Sequence, residues 1–295
     1  VSVFLPLEQS LLSRIVDNKR RTWVMARYSL VGTLLAAFGS LAAALPTMAA
    51  SYAGFSTRAA VQGMFVLYAL LALAAGVVYR GLPKALESAA PAPKEALHAS
   101  KKRVYTLAAL FSLDAFGGGF VVQSLVALWL YQRFGLSIAT ASAIFFWTGI
   151  LTAFSYLVAA RLALRFGLIK TMVFTHLPSS VCLILIPLMP DLSYAIVLLF
   201  IRSALSQMDV PTRSSYVMAI VPPAERAAAA SVTSVPRSLA SAVSPVLAGY
   251  LLGLSPFGWP FVAGGALKIV YDLLLLATFH KVRPPEEEPA PPARE

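Results

Sequence analysis

Long apolar segments alternate with short polar ones along the whole chain. Eight segments consist mainly of Ala, Leu, Val, Ile and Phe, and about 20 such residues suffice for a helix to cross a bilayer. They occupy residues 24–46, 60–80, 104–131, 138–161, 168–190, 192–219, 228–254 and 257–280. They lack the alternation of apolar and polar residues that is typical of barrel strands. Apart from a closed barrel, only a helix satisfies the hydrogen bonds of its backbone within lipid. The pattern therefore predicts an all-α, multi-pass membrane protein with eight transmembrane helices.

The composition supports this interpretation. Of the 295 residues, 58% are hydrophobic and 13% are charged, whereas an ordinary soluble domain has about 25% charged residues. This argues against a soluble enzyme, a nucleic-acid-binding module and a disordered chain. The single cysteine, Cys182, lies in an apolar run and predicts a buried side chain rather than a disulfide or metal site. No signal peptide is expected after Val1.

Basic residues are distributed unevenly between alternate connections. Seventeen of the 24 Lys and Arg residues fall in one set of connections, and only Arg58 and Arg133 fall in the opposite set. Short loops rich in Lys and Arg remain on the cytoplasmic side of a membrane. Both termini and the connection 81–103 are therefore expected in the cytoplasm, with the protein in the cell membrane. The net charge of +11 then reflects topology, and no nucleic-acid partner is needed.

The connection 81–103 divides the chain. It is polar, contains three prolines and charges of both signs, and is typical of a semi-rigid linker. The predicted parts are a lead-in with two helices of a first half (1–80), the linker, a six-helix bundle (104–280) and a Pro/Glu-rich cytoplasmic tail (281–295) that is expected to be disordered.

The first and seventh spans resemble each other at a constant offset of 210 residues. The matching pairs are Arg27 with Arg237, Gly39 with Gly249, and Pro46 with Pro256. A parallel repeat is a known feature of secondary transporters, and it predicts that four spans are missing before Ser10. Chance similarity between helices rich in Ala and Leu is the alternative.

A cytoplasmic connection carries the first family resemblance. Residues 160–170, ARLALRFGLIK, resemble the signature G-x-x-x-D-R-x-G-x-x-R/K of the major facilitator superfamily (MFS). Arg165, Gly167 and Lys170 match the signature, whereas Leu164 stands where Asp is expected and Ala160 where Gly is.

Two further segments resemble the same family. In LLFIRSALS, residues 198–206, Leu198 and Arg202 match the pattern L-x-x-x-R-x-x-Q-G of the fourth helix of a half. Residues 223–249 are similar to the approach to the eleventh helix. The resemblance implies the last two helices of a first half and a complete second half, without the first four helices. It also implies secondary-active transport of a small solute by alternating access, with coupling to protons or another ion and no cofactor. The first span lacks the Gly-Pro motif of drug–proton antiporters.

Charged residues within the spans are the main functional candidates, because a central Asp, Lys or Arg costs about 2.5–3.5 kcal/mol. In the sixth span, steps of four, three and four residues predict that Arg202, Ser206, Asp209 and Arg213 share one helical face. Pro211 is expected to kink that helix. A structural ion pair is the alternative to a cavity-facing stripe.

The third and eighth spans add further candidates. Asp114 precedes three glycines and Gln123, and nine residues of regular helix would place Asp114 and Gln123 on opposite faces unless the helix breaks. Lys268 and Asp272 are spaced as a helical ion pair. His176, a lone histidine, is expected to be packed and hydrogen-bonded, with a proton relay as the alternative.

These observations give two groups of candidate residues. The predicted substrate or ion pathway contains Asp114, Gln123, Arg202, Asp209, Lys268 and Asp272, and the three carboxylates are the candidate proton carriers. The predicted gate or motif residues are Arg165, Gly167, Lys170, Arg213 and Arg237.

Other functions are less well supported by the sequence. It contains no G-x-S-x-G or H-E-x-x-H motif and no paired His or Cys, so an enzyme or a metal site is not expected. A non-transporting receptor or partner protein and an inactive transporter fragment remain as alternatives. The expected partners are a small solute, a coupling ion, the lipid bilayer and the missing helices of the same transporter.

Overall fold

The computed structural model describes residues 20–52, 54, 56–81, 97–282 and 284, together with Glu8, Leu12, Val16 and Asp17. Within these residues the regular structure is helical. The helices are α1 (Arg21–Ala42), α2 (Leu45–Tyr52), α3 (Thr57–Arg80), α4 (Lys101–Gly119), α5 (Gln123–Phe134), α6 (Ile138–Phe166), α7 (Leu168–Leu185), α8 (Leu192–Leu205), α9 (Asp209–Ile220), α10 (Arg226–Leu254) and α11 (Trp259–Phe279). Short 3₁₀ turns cover Ile186–Leu188 and Pro223–Glu225.

The described residues contain eight helical segments that are long and apolar enough to cross a membrane. The predicted all-α membrane fold is therefore confirmed. Three of the spans consist of two helices each, namely α1 with α2, α4 with α5, and α8 with α9. Helix α4 begins at Lys101, within the connection predicted at 81–103. The rest of the linker prediction and the tail fall largely on residues 82–96 and 285–295, which lie outside the described residues.

Two of these interruptions follow from the local sequence. Between α8 and α9, residues 206–208 form a turn, because Pro211 has no N–H to donate to the carbonyl of Gln207. The predicted kink takes this form. Between α4 and α5, the amides of Phe120 and Val121 bond only three residues back, at 3.3 and 3.2 Å. This break follows the three glycines.

Small residues bring α4 close to two neighbours. A Cβ atom at Gly264 of α11 would lie 2.8 Å from the carbonyl oxygen of Gly117, and one at Gly119 would lie 2.9 Å from the carbonyl oxygen of Ser241 in α10. Side chains at these positions would force the helices apart. The close contact brings Asp114 of α4 within reach of α11.

Apolar side chains pack above and below a polar layer. One buried cluster includes Leu107, Met172 and Leu275, and another includes Leu183 and Phe261. Along α4, α7 and α11, Asp114, His176 and Lys268 lie between these two clusters in sequence. The polar layer is therefore at mid-depth in the helix bundle.

Helices α1 and α6 pack along their lengths, and α1 also contacts α9. Ala37 of α1 fits against Gly149 of α6, where a Cβ atom would lie 2.7 Å from the Ala37 Cβ. Helix α3 packs against α2, and none of its side chains described by the structure, from Arg58 to Arg80, is buried. Apolar side chains on its surface, such as Phe65 at 68% exposure, suit a helix in contact with lipid. The division into a helix pair and a six-helix bundle stays a prediction.

Glu225 fixes the start of α4. Its carboxylate accepts hydrogen bonds from the backbone amides of His98, Ala99 and Ser100 at 3.2, 3.0 and 3.2 Å, and also from the Ser100 hydroxyl. Backbone amides at a helix N-terminus lack partners within the helix. Glu225 supplies a hydrogen-bond acceptor for these amides and so connects the beginning of α4 to the beginning of α10.

Candidate functional site

Asp114 links two cations from different helices. Its Oδ1 accepts a hydrogen bond from Lys268 Nζ at 2.6 Å, and its Oδ2 accepts one from Arg213 Nη1 at 3.0 Å. Arg213 Nη1 also lies 3.1 Å from Asp209 Oδ2. All four side chains are buried. Buried charges are tolerated when they are paired and hydrogen-bonded. Asp114, Lys268 and Arg213 meet both conditions, whereas Asp209 is paired with Arg213 but its Oδ2 has no hydrogen-bond partner among the described residues.

His176 extends the network from α7. Its Nδ1 lies 2.9 and 3.0 Å from the two carboxylate oxygens of Asp272. Its Nε2 lies 3.4 Å from Lys268 Nζ and 3.6 Å from Asp114 Oδ1. The interpretation of Lys268 and Asp272 as a pair within one helix is wrong, because each makes its contact with another helix.

The charged side chains surround a cavity of about 210 Å³, here called the charged cavity. Its lining includes Asp114, His176, Asp209, Arg213, Arg237 and Lys268, with Ser206, Gln207, Ser238 and Ser241 as neutral polar groups. Asp272 lies behind His176 and is fully buried. The structure thus brings together five residues that the sequence analysis divided between pathway and gate. His176 was not among the selected candidates.

Arg202 faces a second cavity of about 230 Å³, here called the Arg202 cavity. It is lined by polar groups from α1, α5, α6 and α8, including Thr33, Gln123 and Thr152. The two cavities share Ser206 and Gln207. The stripe predicted for Arg202, Ser206, Asp209 and Arg213 spans an interruption of the helix and two adjoining cavities. The helix is interrupted at residues 206–208, so Arg202 and Asp209 face different cavities and Ser206 lines both.

Two guanidinium groups have unused hydrogen-bonding capacity. The Nε atoms of Arg202 and Arg237 are buried and have no hydrogen-bond partner among the described residues. Arg237 lines the charged cavity and Arg202 lines the neighbouring one. Each cavity is therefore bordered by an arginine that keeps one unpaired Nε donor among the described residues.

Gln123 lies outside the charged cavity. The break after α4 makes it the first residue of α5, where its Nε2 donates to Ser40 Oγ at 3.2 Å. It lines the Arg202 cavity and a third cavity of about 390 Å³ that also contains Tyr131 and Ser142. Gln123 therefore lies where these two spaces meet.

The motif residues lie where α6 meets α7, with Arg165 in the last turn of α6, Gly167 between the helices and Lys170 in the first turn of α7. Gly167 has φ +86°, a conformation that glycine adopts without the steric cost of a side chain. Arg165 and Lys170 are exposed, and the Arg165 guanidinium lies 5.3 Å from the centre of the Phe166 ring. None of the three lines the charged cavity or the Arg202 cavity.

The sequence profile of the Major Facilitator Superfamily matches residues 107–295. The chain belongs to the Major Facilitator Superfamily. The match confirms the resemblance seen in the motifs, and the MFS assignment makes this a multi-pass membrane transporter.

A solved structure supports the fold of this MFS chain. The crystal structure of the human organic anion transporter MFSD10 (TETRAN) has a TM-score of 0.69 to it at 18% sequence identity. The similarity covers 92% of this chain and 67% of that chain. No curated protein sequence matches the chain. MFS proteins are generally transporters rather than enzymes, in agreement with the sequence-based expectation.

Proposed function

We propose that this chain is part of a secondary-active transporter that moves a small anionic solute across the cell membrane by alternating access, coupled to protons. The carrying observation is the charged cavity, which gathers ionisable side chains from α4, α7, α9, α10 and α11 at mid-depth. Ionisable groups within a membrane bundle are costly, and where they occur they commonly serve substrate or ion pathways.

The charges in the cavity favour an anion. Asp114 and Asp209 are outnumbered by Arg213, Arg237 and Lys268, and Arg202 adds a further cation in the neighbouring cavity. Arginine binds carboxylate and similar anions through several N–H donors. MFSD10, whose structure resembles this one, is an organic anion transporter, which agrees with this proposal.

The proposal includes further helices. The chain provides the last two helices of one half and a complete second half, and four helices of the same transporter complete the wall of the cavity. Both termini lie in the cytoplasm, as the distribution of Lys and Arg indicates. Arg165, Gly167 and Lys170 act at the cytoplasmic gate.

The test is uptake of labelled benzenesulfonate into vesicles. The complete transporter should take it up, whereas the 295-residue chain should bind it without transport. Arg202→Gln and Arg237→Gln should each reduce uptake by about tenfold or more, since each removes a charged donor. Arg133→Gln is the matched control, because Arg133 is exposed at the end of α5.

The possible results separate the alternatives. Equal uptake by all variants would contradict the site, and robust uptake by the 295-residue chain would contradict the need for further helices. A complete protein that neither binds nor transports any anion would instead fit a receptor or partner protein.

A further inference from the structure

The contacts of His176 define which of its nitrogens can exchange a proton. Nδ1 faces both oxygens of the Asp272 carboxylate, at 2.9 and 3.0 Å. An ionised carboxylate only accepts hydrogen bonds, so Nδ1 carries a hydrogen while Asp272 is ionised. Nε2 is therefore the nitrogen whose protonation can change.

The Nε2 atom faces two partners that require opposite states. Lys268 Nζ, 3.4 Å away, is a donor and needs the lone pair of a neutral imidazole. Asp114 Oδ1, 3.6 Å away, is an acceptor and needs an N–H from a protonated imidazole. The same Asp114 oxygen now accepts from Lys268 at 2.6 Å. A proton on Nε2 therefore competes with the Lys268 ammonium for Asp114.

Two carboxylates border the imidazole, Asp272 at Nδ1 and Asp114 at Nε2, and each can itself take up a proton. Helix α11 presents Lys268, Asp272 and the Tyr271 ring to the imidazole, and α4 presents Asp114. From α9, Arg213 contacts both Asp114 and Asp209. The contacts described for the imidazole come from α4 and α11, although α6 and α8 also pack against α7.

Lys268 has room to move when it is displaced. Gly118 borders it without a side chain, and a Cβ atom there would lie 3.7 Å from Nζ. Lys268 and His176 both line the charged cavity, where Arg237 already has a free Nε donor. An ammonium that leaves Asp114 enters a space that holds another cation.

We propose that His176 is a proton-binding positioning residue of this cavity. One proton on Nε2 displaces the Lys268 ammonium from Asp114 into the cavity and strengthens the binding of an anionic solute there. No covalent bond other than N–H forms or breaks. The binding of an anionic solute rests on the proposed function, whereas the displacement of Lys268 does not.

The test uses the full 295-residue chain, labelled with ¹⁵N in His and Lys and reconstituted in lipid nanodiscs. His98→Gln and His280→Gln identify the signals of the other two histidines, and Lys268→Arg identifies the Nζ signal of Lys268. The pH is varied between about 5 and 8, the range in which histidine commonly titrates. Binding of benzenesulfonate, which stays anionic throughout, is measured in the same samples.

We expect the Nε2 signal of His176 to titrate while Nδ1 stays protonated, and the Lys268 signal to move with the same midpoint. Benzenesulfonate should bind about tenfold more tightly to the protonated form, a typical coupling between two sites. In His176→Gln, which keeps a hydrogen-bonding side chain without a titrating ring, affinity should not change with pH. His280→Gln should behave as the parent chain.

Other results would overturn the proposal. They are a titration at Nδ1, a Lys268 signal that ignores the state of His176, or an unchanged pH dependence of binding in a folded His176→Gln variant. The first two are read from the parent chain and do not depend on that variant folding. If Lys268 follows His176 but benzenesulfonate does not bind at any pH, the displacement is supported and the anionic solute of the proposed function is wrong.

Discussion

Asp114 is the side chain on which the other charges of the cavity depend. Each of its oxygens accepts a hydrogen bond from a different cation, Lys268 at 2.6 Å and Arg213 at 3.0 Å. At the scale of single residues, a neutral side chain in place of Asp114 weakens the contacts of both Lys268 and Arg213. Both cations would remain buried with less compensation.

We therefore expect Asp114→Asn to lower the stability of the protein. Loss of one member of a buried ion pair costs about 3–5 kcal/mol, and this should appear as a lower midpoint of thermal unfolding in detergent. Asp191→Asn is the control, since Asp191 is exposed in a connection. Equal midpoints for the two variants would mean that Asp114 does not hold the cluster together.

Asp209 allows a second test at this scale. In a Cys182→Ser background, cysteines at positions 202 and 209 should react with water-soluble thiol reagents, because both positions line cavities. In the complete transporter, Asp209→Asn should reduce uptake strongly and Asp209→Glu should retain part of it. Unreactive cysteines together with normal uptake by Asp209→Asn would identify a purely structural ion pair.

Sequence reasoning found most of the charged residues of the site but not their partners. Asp114, Asp209 and Lys268 stand out because a charge in an apolar span is costly. Their pairing is not visible, since Lys268 and Asp114 are 154 positions apart. The spacing rule for helices suggests the wrong partner, Asp272. His176 gave no signal of its own, because a lone histidine is usually a packed residue.

At the scale of helices, the interruptions decide which cavity each side chain faces. Pro211 and the three glycines before Phe120 can be recognised in the sequence. The helix is interrupted just before Pro211 and just after the glycines. The direction in which each half-helix continues depends on the helices packed beside it. For this reason the sequence predicted a kink near Asp209 but not that Arg202 lines a cavity separate from that of Asp209.

The contact between α4 and α11 can be tested with two glycines. Gly264→Ala adds a Cβ atom 2.8 Å from the carbonyl oxygen of Gly117, so the helices must separate and the bond between Lys268 and Asp114 must lengthen. We expect a lower thermal midpoint. Gly249→Ala is the matched control, because nothing lies within 4 Å of the added atom, and alanine favours a helix by up to about 1 kcal/mol. The prediction fails if both variants are equally stable.

At the scale of the whole molecule, the number and type of spans were predictable because lipid leaves few options for the backbone. Eight predicted spans correspond to eight in the described residues. Their boundaries differ where a span contains two helices, since hydropathy alone does not register a break. The arrangement of α1 against α6 and α9 was likewise beyond the reach of a single sequence.

Orientation in the membrane is testable through two exposed positions. In a Cys182→Ser background, Arg133→Cys should react with a membrane-impermeant thiol reagent in intact cells, whereas Lys170→Cys should react only after the cells are opened. Both side chains are exposed, and the distribution of Lys and Arg places them on opposite sides. The reverse labelling pattern would invert the proposed topology.

The fit of Ala37 against Gly149 gives a way to arrest the protein mechanically. A single methyl group at position 149 would lie 2.7 Å from the Ala37 Cβ and act as a wedge between α1 and α6. If α1 and α6 separate and come together during transport, the added methyl group destabilises only the form in which they are in contact. A ligand specific to that form should then bind more weakly, and a ligand specific to the separated form more tightly. One carbon atom in the membrane interior could therefore trap the protein in a chosen form for structural work, without altering any charge.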